Sequence, residues 1–346
     1  MRTLRLSLAG WLTLILHGGL SAVVAVAQDQ EPLGYMPVET GSMVKARSSH
    51  SATLLPDGQV LITGGGWADA ELYDPDTGTF TLAGRMARIR VITATLLPDG
   101  QVLLASGADP SAELWNPATM SIEPTGAMSD TRSGHTATPL LDGRVLIAGG
   151  DTSTAELYDP SAGTFEPTGD MTRRRTDHVA TRLSDGRVLI TGDGSAELYD
   201  PATGRFEATG PMTASRPHHS ATLLADGRVL LAAGSAVSAE VYDPVTGVFE
   251  TTGQLSAPRE DHTATLLSDG RVLIVGGLSH DPFETLATAE VYDPLRGTFQ
   301  EVTPMATARL QHTATLLPDG RVLITGGSIL TSSIAKAEVY EPVAAR

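Results

Sequence analysis

The sequence predicts an all-β fold, a seven-bladed β-propeller of four-stranded antiparallel blades, and three observations carry that prediction. First, the dipeptide Asp-Gly recurs at Asp57, Asp99, Asp142, Asp185, Asp226, Asp269 and Asp319, at intervals of 41 to 50 residues. Self-similarity at such a period marks a repeat architecture. Second, each copy contains a continuously apolar run such as Val145-Leu-Ile-Ala148, the pattern of a strand covered on both faces. Third, the last copy stops short, and a fragment near the start of the chain supplies what it lacks.

The third repeat shows the elements in order: Arg132-Ser-Gly-His135-Thr-Ala-Thr, then Leu-Asp142-Gly143-Arg-Val-Leu-Ile-Ala-Gly149-Gly150, then Ala155-Glu156-Leu-Tyr158-Asp-Pro160, then Gly163-Thr-Phe165-Glu-Pro-Thr168-Gly169-Asp-Met171. The first two strands flank Asp-Gly, a tight-turn dipeptide. The third strand is stopped by Asp-Pro, and Pro-x-x-Gly turns the chain into a fourth that begins near the Phe. Four antiparallel strands per unit, stacked face to face around an axis, make a propeller. The repeats start near residues 43, 86, 128, 171, 212, 255 and 305 of one domain spanning 28–346. Repeat seven reaches Tyr340-Glu-Pro342 and ends before a fourth strand. Thr40-Gly41-Ser42-Met43 repeats the Thr168-Gly169-Asp170-Met171 ending with no strands before it. The segment around Tyr35–Gly41 is therefore expected to be the outer strand of the last blade and to close the ring.

Composition narrows the chemistry. The 346 residues include no Cys, 24 Lys+Arg and 40 Asp+Glu, a net charge of −16. Without thiols there is no disulfide framework, thiolate metal site or cysteine nucleophile. The acidic balance argues against nucleic acid, whose affinity comes largely from Lys and Arg neutralising phosphates. With Lys45 and Lys336 the only lysines, there is no polybasic membrane patch either. Met1–Ala27 has Arg2 and Arg5, an apolar stretch and the ending Ala25-Val26-Ala27, the layout of a cleaved secretory signal. The mature chain from Gln28 then carries 22 basic and 40 acidic residues, a net of −18, and is expected to be periplasmic or secreted, with no stable membrane insertion.

Four apolar residues before a double glycine, then a spaced Tyr and a second aromatic, resemble the kelch-repeat family over nearly all of the mature chain. The double glycines are Gly64-Gly65, Gly149-Gly150, Gly276-Gly277 and Gly326-Gly327, with Ser106-Gly107, Gly192-Asp193 and Ala233-Gly234 as degraded copies. The Tyr are Tyr73, Tyr158, Tyr199, Tyr242, Tyr292 and Tyr340, with Trp115 in blade two. The second aromatic is Phe80, Phe165, Phe206, Phe249 or Phe299, with Ile122 in blade two. The resemblance implies the propeller fold but not one function, because kelch propellers include oxidases, sugar isomerases and binding modules. A copper-radical enzyme resembling galactose oxidase would need a Tyr crosslinked to Cys, with further Tyr and His ligands. With no Cys and the Tyr committed to the repeat, that activity is rejected and no cofactor is expected.

Residues needed once per blade serve the blade. Arg47, Arg132, Arg175, Arg216, Arg259 and Arg309 stand three before His50, His135, His178, His219, His262 and His312, and blade two has Ile89 and Ile92 instead. Each His is expected to fix the entry to its first strand by hydrogen bonds. The strand-three glutamates Glu71, Glu113, Glu156, Glu197, Glu240, Glu290 and Glu338 lie near the same rim as the arginines. Arg–Glu pairing is one reading; a cationic ring at the channel mouth, with Arg132, Arg175 and Arg216 exposed to an anionic ligand, is the other.

What the repeat leaves unexplained supplies the remaining candidates. His218 and His280 are the histidines outside both the repeat and the signal. Trp67 could stack on a sugar face, while Asp69, Asp109, Asp151, Asp193 and Asp281 could hold a cation or a basic partner, though no Asp-x-Asp-x-Asp cluster appears. Arg173 and Arg174 add charge to blade four. Blade six has an insertion, Leu278–Leu286, where His280 could pair with Asp281 or Glu284 beside Phe283. Blade seven has another, Ser328–Ala335. Two functions follow from this inventory: a non-catalytic scaffold binding a protein or glycan through its loop face, or a sugar-acting enzyme resembling exported kelch-type sialic-acid isomerases, with arginines holding an acidic sugar.

Overall fold

A computed structural model describes residues 34–88 and 92–343. The export segment 1–27 and Ile89 lie outside the described residues. Seven four-stranded antiparallel sheets form the blades, with strands a to d running from the axis outward. In blade three these are His135–Pro139, Val145–Gly149, Ala155–Asp159 and Thr164–Pro167. Inner strands of consecutive blades neighbour each other all the way round, and Thr313–Leu316 of blade seven lies against His50–Leu54 of blade one. Blade seven takes its outer strand from the N-terminus: Gly34–Glu39 pairs antiparallel with Ala337–Val343, from Gly34 opposite Val343 to Glu39 opposite Glu338. Ring closure is thus made by backbone hydrogen bonds between the two ends of the chain.

The apolar runs are explained by the seams. Val145 and Ile147 pack with Leu97, Leu103 and Met128 of blade two, while Leu146 and Ala148 pack with Val188 and Ile190 of blade four. Alternate side chains of one b strand point to opposite neighbours, so both sets must be apolar. Met43, Met86, Met128, Met171, Met212, Leu255 and Met305, one per repeat, are all buried.

Each seam also carries two polar fastenings. Near the rim of the sheet, the Tyr hydroxyl of strand c bonds a Thr from the blade before: Tyr158 to Thr125 at 2.8 Å, Tyr199 to Thr168 at 2.9 Å, and Tyr73 to Thr40 at 2.9 Å across the closure. Trp115 substitutes in blade two, its indole N–H donating to the Ala83 carbonyl at 2.7 Å. Near the axis, the motif His uses Nε2 to reach a hydroxyl of the preceding blade: His135 to Thr93, His178 to Thr136, His262 to Ser220, His312 to Thr263, and His50 to Thr313 and Thr325 at 3.0 Å. The histidines therefore join blades as well as anchoring strand entries. A bond back from Nδ1–H to the carbonyl of the motif Arg is formed by His135 at 2.6 Å and His219 at 2.7 Å.

Candidate functional site

The a–b and c–d turns lie on one face, and the b–c and d–a loops on the other. On the first face Asp-Gly turns are closed by their own side chains: Asp142 accepts from the Arg144 backbone N–H, and its second oxygen takes the Arg144 guanidinium. These turns are repeated and self-satisfied. Every residue singled out above lies on the second face.

There the motif arginines are sealed. Arg132 has no exposed surface and donates to Glu156 from Nε at 3.0 Å and from NH2 at 2.7 Å, and from NH1 to the Gly149 and Thr154 carbonyls. Glu156 Oε2 accepts the Ser129 N–H at 2.8 Å. Arg175 pairs with Glu197 at 2.7 Å, Arg216 with Glu240 at 2.5 Å, and Arg47, Arg259 and Arg309 with Glu71, Glu290 and Glu338, all within their own blades. Burial lowers the pKa of Arg47, Arg259 and Arg309, and the paired glutamate opposes that shift. Of the two readings the sequence left open, Arg–Glu pairing is the one observed and the cationic ring is corrected: Arg132, Arg175 and Arg216 have their polar atoms turned inward, because a buried guanidinium must be met by a carboxylate and carbonyls. The double glycine makes room for this. A Cβ on Gly150, whose φ is +85°, would lie 2.6 Å from the Cα of Arg132.

The motif histidines are turned inward as well, each with Nε2 bonded to a hydroxyl, although Nδ1 of His50, His178, His262 and His312 has no hydrogen-bond partner. Burial, reinforced by the neighbouring guanidinium, pushes His50 down to about 3 and His178 and His219 down to about 4. They are neutral at pH 7.

The loop candidates divide. Asp69 is bound by Arg85 at 2.7 Å, Asp109 faces Arg88 at 3.6 Å and caps Ser111, and Asp151 meets Arg174 at 2.7 Å. These aspartates are held by arginines of their own face rather than converging, and no group of three His, Cys, Asp or Glu among the described residues could hold a metal ion. Asp193 and Arg173 are exposed. Trp67 donates its indole N–H to the Ala46 carbonyl at 2.8 Å, and the Lys45 ammonium sits 4.7 Å over its ring. The blade-six insertion is a hairpin, Leu278–His280 paired with Phe283–Thr285. His280 does not pair with Asp281 or Glu284. Its Nε2 lies 3.0 Å from Glu260, because bonds between Leu278 and Glu260 dock the hairpin against the entry to strand a. Phe283 is 65% exposed. The blade-seven hairpin, Ser328–Ile329 with Ser332–Ser333, ties to this one through Leu330 N–H to Thr285 and to blade one through Ser333 and Ser48.

One column of residues, of which only His218 was singled out from the sequence, escaped the sequence reasoning as a set. The residue immediately before the motif His is in the left-handed region in six blades: Ser49, Gly134, Asp177, His218, Asp261 and Gln311, at φ of 50° to 71°. This column passes backbone hydrogen bonds from blade to blade, Ser49 N–H to the Gln311 carbonyl and Gln311 N–H to the Asp261 carbonyl, both 2.9 Å. It rims the channel. Asp261 sits at its centre of charge, one oxygen 3.4 Å from His218 Nδ1 and the other 3.2 Å from the Gln311 amide nitrogen. The available signal was variability immediately before the motif His, where the column reads Ser, Val, Gly, Asp, His, Asp, Gln, although the position before it varies as well.

No protein-family model matches the chain, and no curated protein sequence matches it. Among solved structures, a fungal alcohol oxidase of the AA5 family, in complex with copper, is similar with a TM-score of 0.76 and 17% identity, over 90% of this chain and 76% of that one. The likeness is one of fold: this chain is a seven-bladed propeller of four-stranded antiparallel blades.

Proposed function

We propose that this chain is an exported kelch-type propeller that binds a glycan or protein partner through the b–c and d–a face, in the sector from blade five to blade one, and performs no chemistry of its own. The observation that carries this reading is the division of labour on that face. Side chains repeated in the blades are buried and paired, whereas exposed unrepeated ones gather where two hairpins break the symmetry: His218 at the rim, His280 and Phe283 on blade six, and Ile329 and Leu330, 43% and 49% exposed, on blade seven. Apolar and aromatic groups rimmed by polar ones are the make-up of binding surfaces.

A copper centre like the neighbour's does not fit these residues. Such a centre needs several imidazole, phenolate or thiolate donors to converge. Here Cys is absent, the repeat Tyr hydroxyls bond threonines or, for Tyr340, the Thr303 carbonyl, and the motif imidazoles bond neighbouring hydroxyls. The reading is tested on glycan and surface-protein arrays with the mature chain and a Phe283→Ser, Leu330→Ser variant. Binding that the variant abolishes without lowering the melting temperature supports it. Binding retained by the variant but lost with changes on the Asp-Gly face overturns it.

A further inference from the structure

The two histidines left over by the repeat and the signal come from different blades, yet both meet consecutive carboxylates. His218 faces Asp261 at 3.4 Å through Nδ1, and His280 faces Glu260 at 3.0 Å through Nε2. Both imidazoles are exposed on their outer sides, with 44% and 55% of their side chains open to solvent.

A carboxylate that takes the N–H of one ring nitrogen fixes the tautomer and leaves the other nitrogen as a lone-pair acceptor. Glu260 does this for His280 and leaves Nδ1 open on the hairpin, while Asp261 approaches His218 Nδ1 only to ion-pair distance, 3.4 Å, and leaves the exposed edge of that ring open at the channel rim. Asp261, which faces His218, is itself held from the far side by Gln311. Beside His280, its ring centroid 5.9 Å away, stands the exposed ring of Phe283. One oriented acceptor at His280, a second exposed imidazole at His218 and an aromatic face suit a ligand that offers O–H groups along its edge and C–H groups on its flat side. They do not suit an anion: the carboxylates repel it, and the motif arginines that would attract it are paired with glutamates and buried.

We infer that the rim between blades five and seven is a site for a neutral pyranoside. His218 and His280 accept hydroxyl hydrogens, Asp261, Glu260 and Gln311 position the imidazoles, and Phe283 covers the apolar face of the sugar ring. The inference rests on the binding-face reading above and gives it a ligand class.

Titration calorimetry on the mature chain decides it, using methyl glycosides of glucose, galactose and mannose against methyl glucuronide and methyl galacturonide. At least one neutral glycoside is expected to bind. His218→Ala and Phe283→Ala should each weaken it at least about fivefold, the scale of one hydrogen bond or one stacking contact. The melting temperature should not move, because both side chains are exposed. Glu260→Gln, which keeps the shape but removes the charge that faces His280 Nε2, should weaken binding by a similar factor. The inference is overturned by the absence of heat with every neutral glycoside, by tighter binding of a uronide, or by neutral binding indifferent to His218→Ala and Phe283→Ala. If array partners still bind through the hairpins while no glycoside does, the ligand class falls and the binding face stands. If neither binds, both fall.

Discussion

Replacing Arg132 by Met removes a cation from a site with no solvent access and leaves everything that surrounded it in place. The guanidinium makes five hydrogen bonds, two to Glu156, one each to the Gly149 and Thr154 carbonyls, and one to the Thr154 hydroxyl. In the variant Glu156 keeps one partner, the Ser129 N–H, and an uncompensated buried carboxylate remains. Breaking a buried pair on one side costs about 3–5 kcal/mol, which for a domain of this size lowers the melting temperature by roughly 6–10 °C. Removing both charges, as Arg132→Met with Glu156→Met, takes away the stranded carboxylate. The remaining cost is the orphaned backbone groups, about 1–3 kcal/mol. Differential scanning calorimetry of the two single variants and the double variant, at pH 7 and equal protein concentration, closes the cycle. The double variant should melt above the Arg132→Met single variant. An Arg132→Met protein melting within about 1 °C of the parent would refute the argument, since that outcome belongs to an arginine with access to water. Strict additivity in the double variant would refute it too, because it would mean the two charges do not interact.

Two further outcomes follow from the same seams. The buried motif histidines have folded-state pKa values of about 3 to 4 for His50, His178 and His219, below the ordinary value of 6.5. The unfolded chain therefore binds more protons between those limits, so stability is complete above pH 6.5 and is lost as pH falls toward the folded values. Each such histidine contributes on the order of 2 kcal/mol of loss at pH 5 relative to pH 7. Thermal melts should drop steeply between pH 6.5 and pH 5, and a flat profile across that interval would show that the imidazoles are not buried neutral. A double glycine and the glycine that follows another give a matched pair: Gly150→Ala brings a Cβ to 2.6 Å from Arg132 Cα at a φ of +85°, whereas Gly66→Ala, at +87°, meets nothing within 4 Å. The second should cost about 1 kcal/mol for the left-handed backbone alone, the first several times that. Equal losses on chemical denaturation would mean that the glycine is kept only for its backbone angle.

The closure of the ring and the identity of each strand were legible because both are written in the repeat itself, in the apolar runs between Asp-Gly and Asp-Pro and in the orphan ending at Thr40-Gly41. The fate of the arginines was legible only as a choice between two readings, since sequence spacing brings Arg132 and Glu156 to one rim but does not say whether a side chain turns inward or toward the axis. Burial decides that, and burial depends on the glycines that let Arg132 lie against the backbone. The partners of the histidines were hidden in plain view: Thr93 to His135 and Thr136 to His178 are each 42 residues apart, one repeat, so a bond between adjacent blades looks in sequence like nothing more than periodicity.

The column that rims the channel stayed hidden for the opposite reason. It is the second of two variable positions between the motif Arg and His, after Ser48, Ser133, Thr176, Pro217, Glu260 and Leu310, and so reads as ordinary spacer. Its left-handed backbone is set by the ring, but its side chains meet no fixed neighbour. Gly134, Asp177 and His218 are residue types found in that conformation more often than most, while Gln311 accepts it at a cost. Where a repeat constrains the backbone and leaves the side chain open, a residue unfavourable to that backbone needs a reason in its side chain. On this molecule the reason lies in the contacts of Asp261 with His218 on one side and Gln311 on the other. In a ring built from seven near-copies, these three positions are where the copies differ and the differences touch.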